Sequence, residues 1–248
     1  MIIDAHAHLR DAQLHPMVVA ECAAHHVDKI MVSSIASYRH YPDLAQVQQA
    51  NADLVAVQAD HPDLVVCYCY VNPRHGQAAL TDLRRNVEER GMVGIKLWVA
   101  TTADDPLVFP IVEQAIAYRI PILMHAWRKT TGQLPYESNA ENIAQIAARY
   151  PEAQIIMAHL GGQVESAMNA IAPYANVYTD TSGTPINAGA VRIAVDRIGP
   201  ERVVFGSDMH GVCMGHSIGK VVAADLTAEE MDMIMGGTMA RLLAEVRK

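Results

Sequence analysis

The chain is poor in aromatic residues. Phe, Trp and Tyr make up 5% of its 248 positions, with only two Phe and two Trp. Its core must therefore be built mainly from Ala, Val, Ile, Leu and Met. It is also short of positive charge, with 19 Lys and Arg against 27 Asp and Glu and a formal net charge of −8. That balance argues against a nucleic-acid binder, which needs a basic face. Cysteine is sparse: Cys22, Cys67, Cys69 and Cys213 include no CxxC pair. Cys67 and Cys69 alternate along one strand-like run and read as small buried thiols. No apolar run approaches the length of a membrane span. Met1 leads into a strand without a basic n-region or signal-peptide pattern, so a cytoplasmic protein is expected. There is no GxGxxG and no P-loop, which removes the usual phosphate cradles. Neither a linker, a solenoid repeat nor a low-complexity tract divides the chain, so one domain over residues 1–248 is expected.

Hydrophobic residues make up 51% of the chain, ample for a large core. Apolar runs rich in strand formers occur at 2–8, 27–35, 64–71, 93–98, 120–126, 154–159, 176–181 and 202–208. Helical spacing fills the intervals at about 16–26, 43–61, 76–90, 106–118, 138–150 and 187–198. Ser138 and Glu141 suggest a capping box for the fifth of these helices. Residues 209–226 read as a long final loop, and a last helix runs from about Ala228, interrupted at Gly236-Gly237. Most strands are continuous apolar runs, as parallel strands covered on both faces should be. Eight βα units in this length predict a single (β/α)8 barrel.

In such a barrel, chemistry sits at the C-terminal ends of the strands. Strand one ends in His6 and His8. Residues two apart share a side of a strand, so the two rings can converge as half of a metal site. Strand four supplies Lys96, strand five His125, strand six His159 and strand eight Asp208. One histidine at a strand end is an ordinary core residue; four with an aspartate point to a divalent ion. Arg10, Arg74, Arg128 and Lys129 follow strands one, three and five. Arg128 comes so soon after His125 that it should stand at the pocket mouth, where a guanidinium suits a substrate carboxylate. Trp98 and Trp127 could wall an apolar pocket or simply pack. His210, Cys213 and His216 crowd the last loop, but their spacing fits no standard metal site.

The stretches IIDAHAH, VGIKLW, PILMHA, IIMAHLGG and VVFGSDM, with MIMGGTMARLL near the end, resemble the amidohydrolase superfamily and its amidohydrolase-2 branch. That branch includes aminocarboxymuconate semialdehyde decarboxylase, aromatic-acid decarboxylases and lactone hydrolases. The resemblance implies a TIM barrel with one divalent ion, zinc being expected, held by His6, His8, His125 and Asp208. It makes His159 a catalytic histidine facing the activated water, with Asp208 able to take that water's proton. Lys96 stands where some superfamily members carry a carbamylated lysine. An unmodified Lys96 is expected in this branch, either binding a substrate anion or serving as a structural lysine paired with a carboxylate. Related nucleases with an HxH strand carry a glutamate there instead. The implied activity is hydrolysis of a small carboxylate-bearing ester, lactone or amide. Non-oxidative decarboxylation of a small acid, or a barrel that binds without catalysis, are the alternatives. The partner is a small molecule rather than nucleic acid or membrane, and barrels of this kind are often homodimers.

Overall fold

A computed structural model describes residues 1–9, 15–36, 39–183 and 189–247. Arg10, to which the sequence points as a loop cation, lies outside them. Eight parallel strands run in sequence order: β1 (Ile3–His8), β2 (Lys29–Ser33), β3 (Val65–Tyr70), β4 (Gly94–Leu97), β5 (Ile122–Met124), β6 (Ile155–Met157), β7 (Val177–Asp180) and β8 (Val203–Val204). Backbone bonds join the two ends of this sheet. Ala5 N–H donates to Phe205 O at 2.8 Å, and Asp208 N–H donates to His6 O at 2.7 Å. The strands alternate with helices, giving a single (β/α)8 barrel. Among the described residues, no helix is long and apolar enough to cross a membrane.

Side chains divide into an outer and an inner set. The outer set, with Val32, Cys67, Cys69, Ile95 and Phe205, packs under the helices. The inner set, with Ile3, Ala5, Met31, Tyr68, Leu123, Ile156 and Val204, fills the barrel. Met239 and Leu242, from the last helix, join the inner set and plug the end where β1 begins. Gly94 makes room for one inner residue: a Cβ there would stand 2.4 Å from the Tyr68 ring.

The helices that follow the eight strands are α1 (His15–Ala24), α2 (Leu44–Asp60), α3 (Gly76–Glu88), α4 (Phe109–Tyr118), α5 (Ala140–Arg149), α6 (Val164–Ile171), α7 (Ala190–Ile198) and α8 (Met214–Val222). Three expectations need correction here. The α5 cap is Asn139 with Asn142, not Ser138 with Glu141. Ser138 is already engaged, since its hydroxyl accepts from Ala103 N–H at 2.9 Å and its carbonyl accepts from Trp127 N–H at 2.8 Å. Glu141 instead pairs with Arg128. The supposed long loop 209–226 contains α8, whose buried residues Met214, Ser217 and Val221 recur at helical spacing. Its three glycines and two histidines weaken that pattern in the sequence. The last helix is not broken at Gly236-Gly237. Helix α9 (Ala228–Asp232) continues through a π-helical turn, Met233–Gly237, into α10 (Thr238–Ala244). Gly236 lets this turn approach the start of β1: a Cβ there would stand 2.6 Å from Met1 O.

Candidate metal centre

The site begins with an irregularity in β1. Ile3 and Ala5 face the barrel interior, and so do His6 and His8, although strict alternation would turn His6 outward. The register of β1 against β2 shifts between Asp4 and Ala7. A bulge of this kind re-aims the residues beyond it. Asp4 holds the bulge, accepting from His6 N–H at 3.1 Å, Ser207 N–H at 2.9 Å and the Ser207 hydroxyl at 2.5 Å. Burial pushes the Asp4 carboxyl up to about 7 in spite of these bonds.

The ring partners then set the tautomers. His6 Nδ1–H donates to Asp180 Oδ2 at 2.8 Å, which leaves a lone pair on Nε2. His8 Nδ1–H faces the Ser33 carbonyl at 3.3 Å and the Ser33 hydroxyl at 2.9 Å, which also leaves Nε2 bare. These two Nε2 atoms meet at 3.1 Å. Asp208 Oδ1 lies 3.4 Å from His8 Nε2 and 3.8 Å from His6 Nε2. His6, His8 and Asp208 thus form a cluster whose ligand atoms all lie within 4.8 Å of one another. Lys96 reaches the same point, with Nζ 2.9 Å from His6 Nε2.

A second pair of rings stands beside the first. His125 Nε2–H donates to Glu137 Oε1 at 2.8 Å, and its Nδ1 faces His159 Nε2 at 3.2 Å. His159 Nδ1–H donates to the Ser182 hydroxyl at 2.9 Å, and that hydroxyl donates to Asp180 Oδ1 at 2.5 Å. The His6 and His159 rings lie 5.0 Å apart, centre to centre. His125 is therefore a neighbour of the His6–His8–Asp208 cluster and not part of it. A further group, His6, His159 and Asp180, is equally tight. There the ring N–H of His6 is spent on Asp180 and that of His159 on Ser182, so this group supports the first cluster.

Burial dominates the electrostatics. It lowers the pKa of His6, His8 and His159 well below the ordinary 6.5, and neighbouring Lys96 and histidines add to the effect. His125 is lowered too, against the pull of Glu137. Neutral rings with inward lone pairs result. Burial pulls Lys96 down to about 8, while Asp180 and Asp208 oppose a further fall. Two neutral acceptors held 3.1 Å apart repel unless a cation or proton lies between them. Two nitrogens on one tetrahedral ion, each bound at about 2.0–2.1 Å, sit roughly 3.3 Å apart. The donor set therefore fits a divalent ion.

Backbone strain gathers at the same place. His159, Leu160 and Asp208 have φ of 61°, 50° and 61°, in the left-handed region that non-glycine residues avoid. Asp180 Oδ1 holds the first by accepting His159 N–H at 2.9 Å. The His6 carbonyl holds Asp208. Gly162, at φ +81°, lets Trp127 close over His159, because a Cβ there would meet Trp127 Cδ1 at 2.2 Å. The Trp127 and His159 rings are 5.0 Å apart.

The structure brings together His6, His8, Asp208, Lys96, His125 and His159. Arg128 stands apart from them. It is half-exposed, and its guanidinium pairs with Glu141 Oε1 at 2.6 Å. Sequence reasoning missed Asp180, Glu137, Ser182 and Ser33. Asp180 carried the same signal as the others, a polar residue ending a buried strand. Glu137 lies in a loop, and no pattern marks it.

A family model described as "Amidohydrolase" matches residues 3–244. A comparison with curated proteins finds no match. Among solved structures, the chain is similar to a 2,6-dihydroxybenzoate decarboxylase from Rhizobium, at 16% identity with a TM-score of 0.81, over 98% of each chain. It is similar to a dihydroxybenzoic acid decarboxylase from Polaromonas that holds manganese and the inhibitor 2-nitroresorcinol. That pair shares 17% identity with a TM-score of 0.78, over 100% of this chain and 98% of the other. It is also similar to a 4-oxalomesaconate hydratase from Rhodopseudomonas palustris, at 18% identity with a TM-score of 0.72, over 99% of this chain and 96% of the other.

Proposed function

The chain belongs to the amidohydrolase family, and from that premise we propose that it is a metal-dependent enzyme that decarboxylates a small, planar carboxylic acid without an external oxidant. The observation that carries the metal-dependent reading is the meeting of two imidazole lone pairs at 3.1 Å beside the Asp208 carboxylate. His6, His8 and Asp208 would hold the ion; His125 stands just outside that cluster, and the family resemblance alone makes it the fourth ligand. Three imidazoles and a carboxylate suit Zn²⁺ and also Mn²⁺. When bound, the ion supplies a Lewis acid that neutralises charge on the substrate's oxygens. The similar dihydroxybenzoate decarboxylases support this choice of chemistry.

This chain's own residues supply the remainder. The buried Lys96 ammonium is the counter-charge for a substrate carboxylate. Asp180 and Ser182 fix the rings of His6 and His159. His159 and Asp208 manage the proton. The carbon–carboxylate bond breaks, its electron pair stays on the substrate carbon, a proton replaces the lost group, and CO₂ leaves. Hydrolysis of an ester, lactone or amide is the second reading. Its support is Asp208, whose side chain is 19% exposed and so can meet an incoming water.

Isotopes separate the two. The metal-loaded protein would be incubated with 2,6-dihydroxybenzoate in D₂O, and with a lactone panel in H₂¹⁸O. Ring deuteration with CO₂ release is expected. Incorporation of ¹⁸O without CO₂ would instead establish the hydrolase, and neither signal in the presence of bound metal would refute both.

A further inference from the structure

The inner face of β3 carries two tyrosines. Tyr68 hydrogen-bonds through its hydroxyl to the Ala5 carbonyl at 3.1 Å, across the barrel interior. Tyr70 lies two residues further on, so it shares that face one layer nearer the mouth. Its Cα pairs in register with that of Lys96, and Gly94, two residues before Lys96, pairs with Tyr68. The Tyr70 ring therefore stands beside the Lys96 stem, and Lys96 Nζ is the group that reaches His6 Nε2 at 2.9 Å.

The position is well fixed. Pairing between β2 and β3 stops at Val32 and Cys67, so the two strands have parted by the level of Tyr70. Asn51 of α2 fills the gap. Its Oδ1 accepts Tyr70 N–H at 2.9 Å and its Nδ2 donates to Tyr70 O at 3.0 Å, replacing the missing strand. The Tyr70 ring joins a small apolar cluster with Ile35 and Trp98. Tyr70 is fully buried, yet its hydroxyl has no hydrogen-bond partner. Four buried side-chain polar atoms lack a partner among the described residues, and Tyr70's alone belongs to a barrel strand. Packing does not require this hydroxyl, because phenylalanine would fill the same space. A buried donor left unmatched is a standing cost.

We infer that the Tyr70 hydroxyl is a substrate-binding donor for an acceptor oxygen on a planar carboxylate-bearing ligand that also engages Lys96. This rests on the substrate class proposed above. The Tyr70 donor and the Lys96 cation lie on adjacent strands, so they can engage a carboxylate and a second oxygen on one small ring. Tyr70 then selects for acids that carry such an oxygen.

The test compares metal-loaded wild type with Tyr70→Phe, using 2,6-dihydroxybenzoate as the probe in calorimetry. Melting temperature and metal affinity are measured on the same samples. The variant should melt at the same temperature or higher, because an unmatched donor has gone, and should bind metal as before. Its Kd for the probe should rise about tenfold, the loss of one good hydrogen bond. An unchanged Kd overturns the assignment. A weaker Kd accompanied by weaker metal binding marks a structural role and also overturns it. A wild type that binds metal but neither the probe nor 2-nitroresorcinol overturns the aromatic-acid reading, and this inference falls with it.

Discussion

At the scale of single residues, the centre depends on side chains that touch no reacting atom. Asp180 orients His6 through one oxygen and fixes Ser182 and the His159 backbone through the other. Asp180→Asn should weaken divalent-metal affinity by about 10–100-fold, the usual cost of losing a carboxylate behind a metal-binding imidazole. Competition with a chromophoric chelator measures this, and unchanged affinity would count against the tautomer scheme. His159→Ala separates two roles. We expect it to keep its metal and lose about 10²–10⁴-fold in rate, the contribution of a positioned acid–base group. A lost metal equivalent in elemental analysis would make His159 a ligand, and mass spectrometry of Lys96 for a carbamate would then follow. The residues at the strand ends were legible because a polar side chain closing an apolar run is visible in the sequence. Ser33, at the end of β2, and Ser182, just past β7, were not, since a serine becomes informative only when its imidazole partner is known.

At the scale of elements, the strand order and helix alternation could be read because parallel strands buried on both faces leave continuous apolar runs. Boundaries were less legible. The run at 202–208 yields a strand of only two residues, Val203–Val204, because the chain leaves the ladder to present Asp208. The segment between β5 and α5 had no readable pattern, yet Glu137 organises it by accepting from His125, Lys129, Gln133 Nε2 and Leu134 N–H. Burial raises the pKa of this carboxyl, but the hydrogen bonds outweigh that and hold it near 2, below its ordinary 4.5. A carboxyl depressed in the folded state stabilises above its unfolded pKa, and the contribution fades as pH falls through the folded value. The stability gap between wild type and Glu137→Gln should therefore be full at pH 7 and shrink from about pH 4.5 towards 2. Urea titrations at several pH values measure it, and a gap independent of pH would contradict the ion-pair account.

At the scale of the whole molecule, a divalent ion bound by His6, His8 and Asp208 would favour the folded chain, the state in which these ligands are assembled. Metal at a hundred times its Kd adds about 2.7 kcal/mol to the folded state. For a chain of this size that is a rise of roughly 5–10 °C in melting temperature. Calorimetric scans before and after chelation should show that difference, reversed by adding the ion back. Equal melting temperatures at proven occupancy would mean that the unfolded chain binds the ion as tightly as the folded one, against a preassembled site. The bonds that close the sheet also have a kinetic meaning. Asp4 and Ser207 are 203 positions apart, and with their neighbours His6 and Asp208 they join the first strand to the last. A candidate ligand cluster so distributed cannot be complete before strand eight has been synthesised. A nascent chain halted before strand eight would lack Asp208, the one carboxylate of the proposed ligand set. Capture of a divalent ion would then report completion of the barrel.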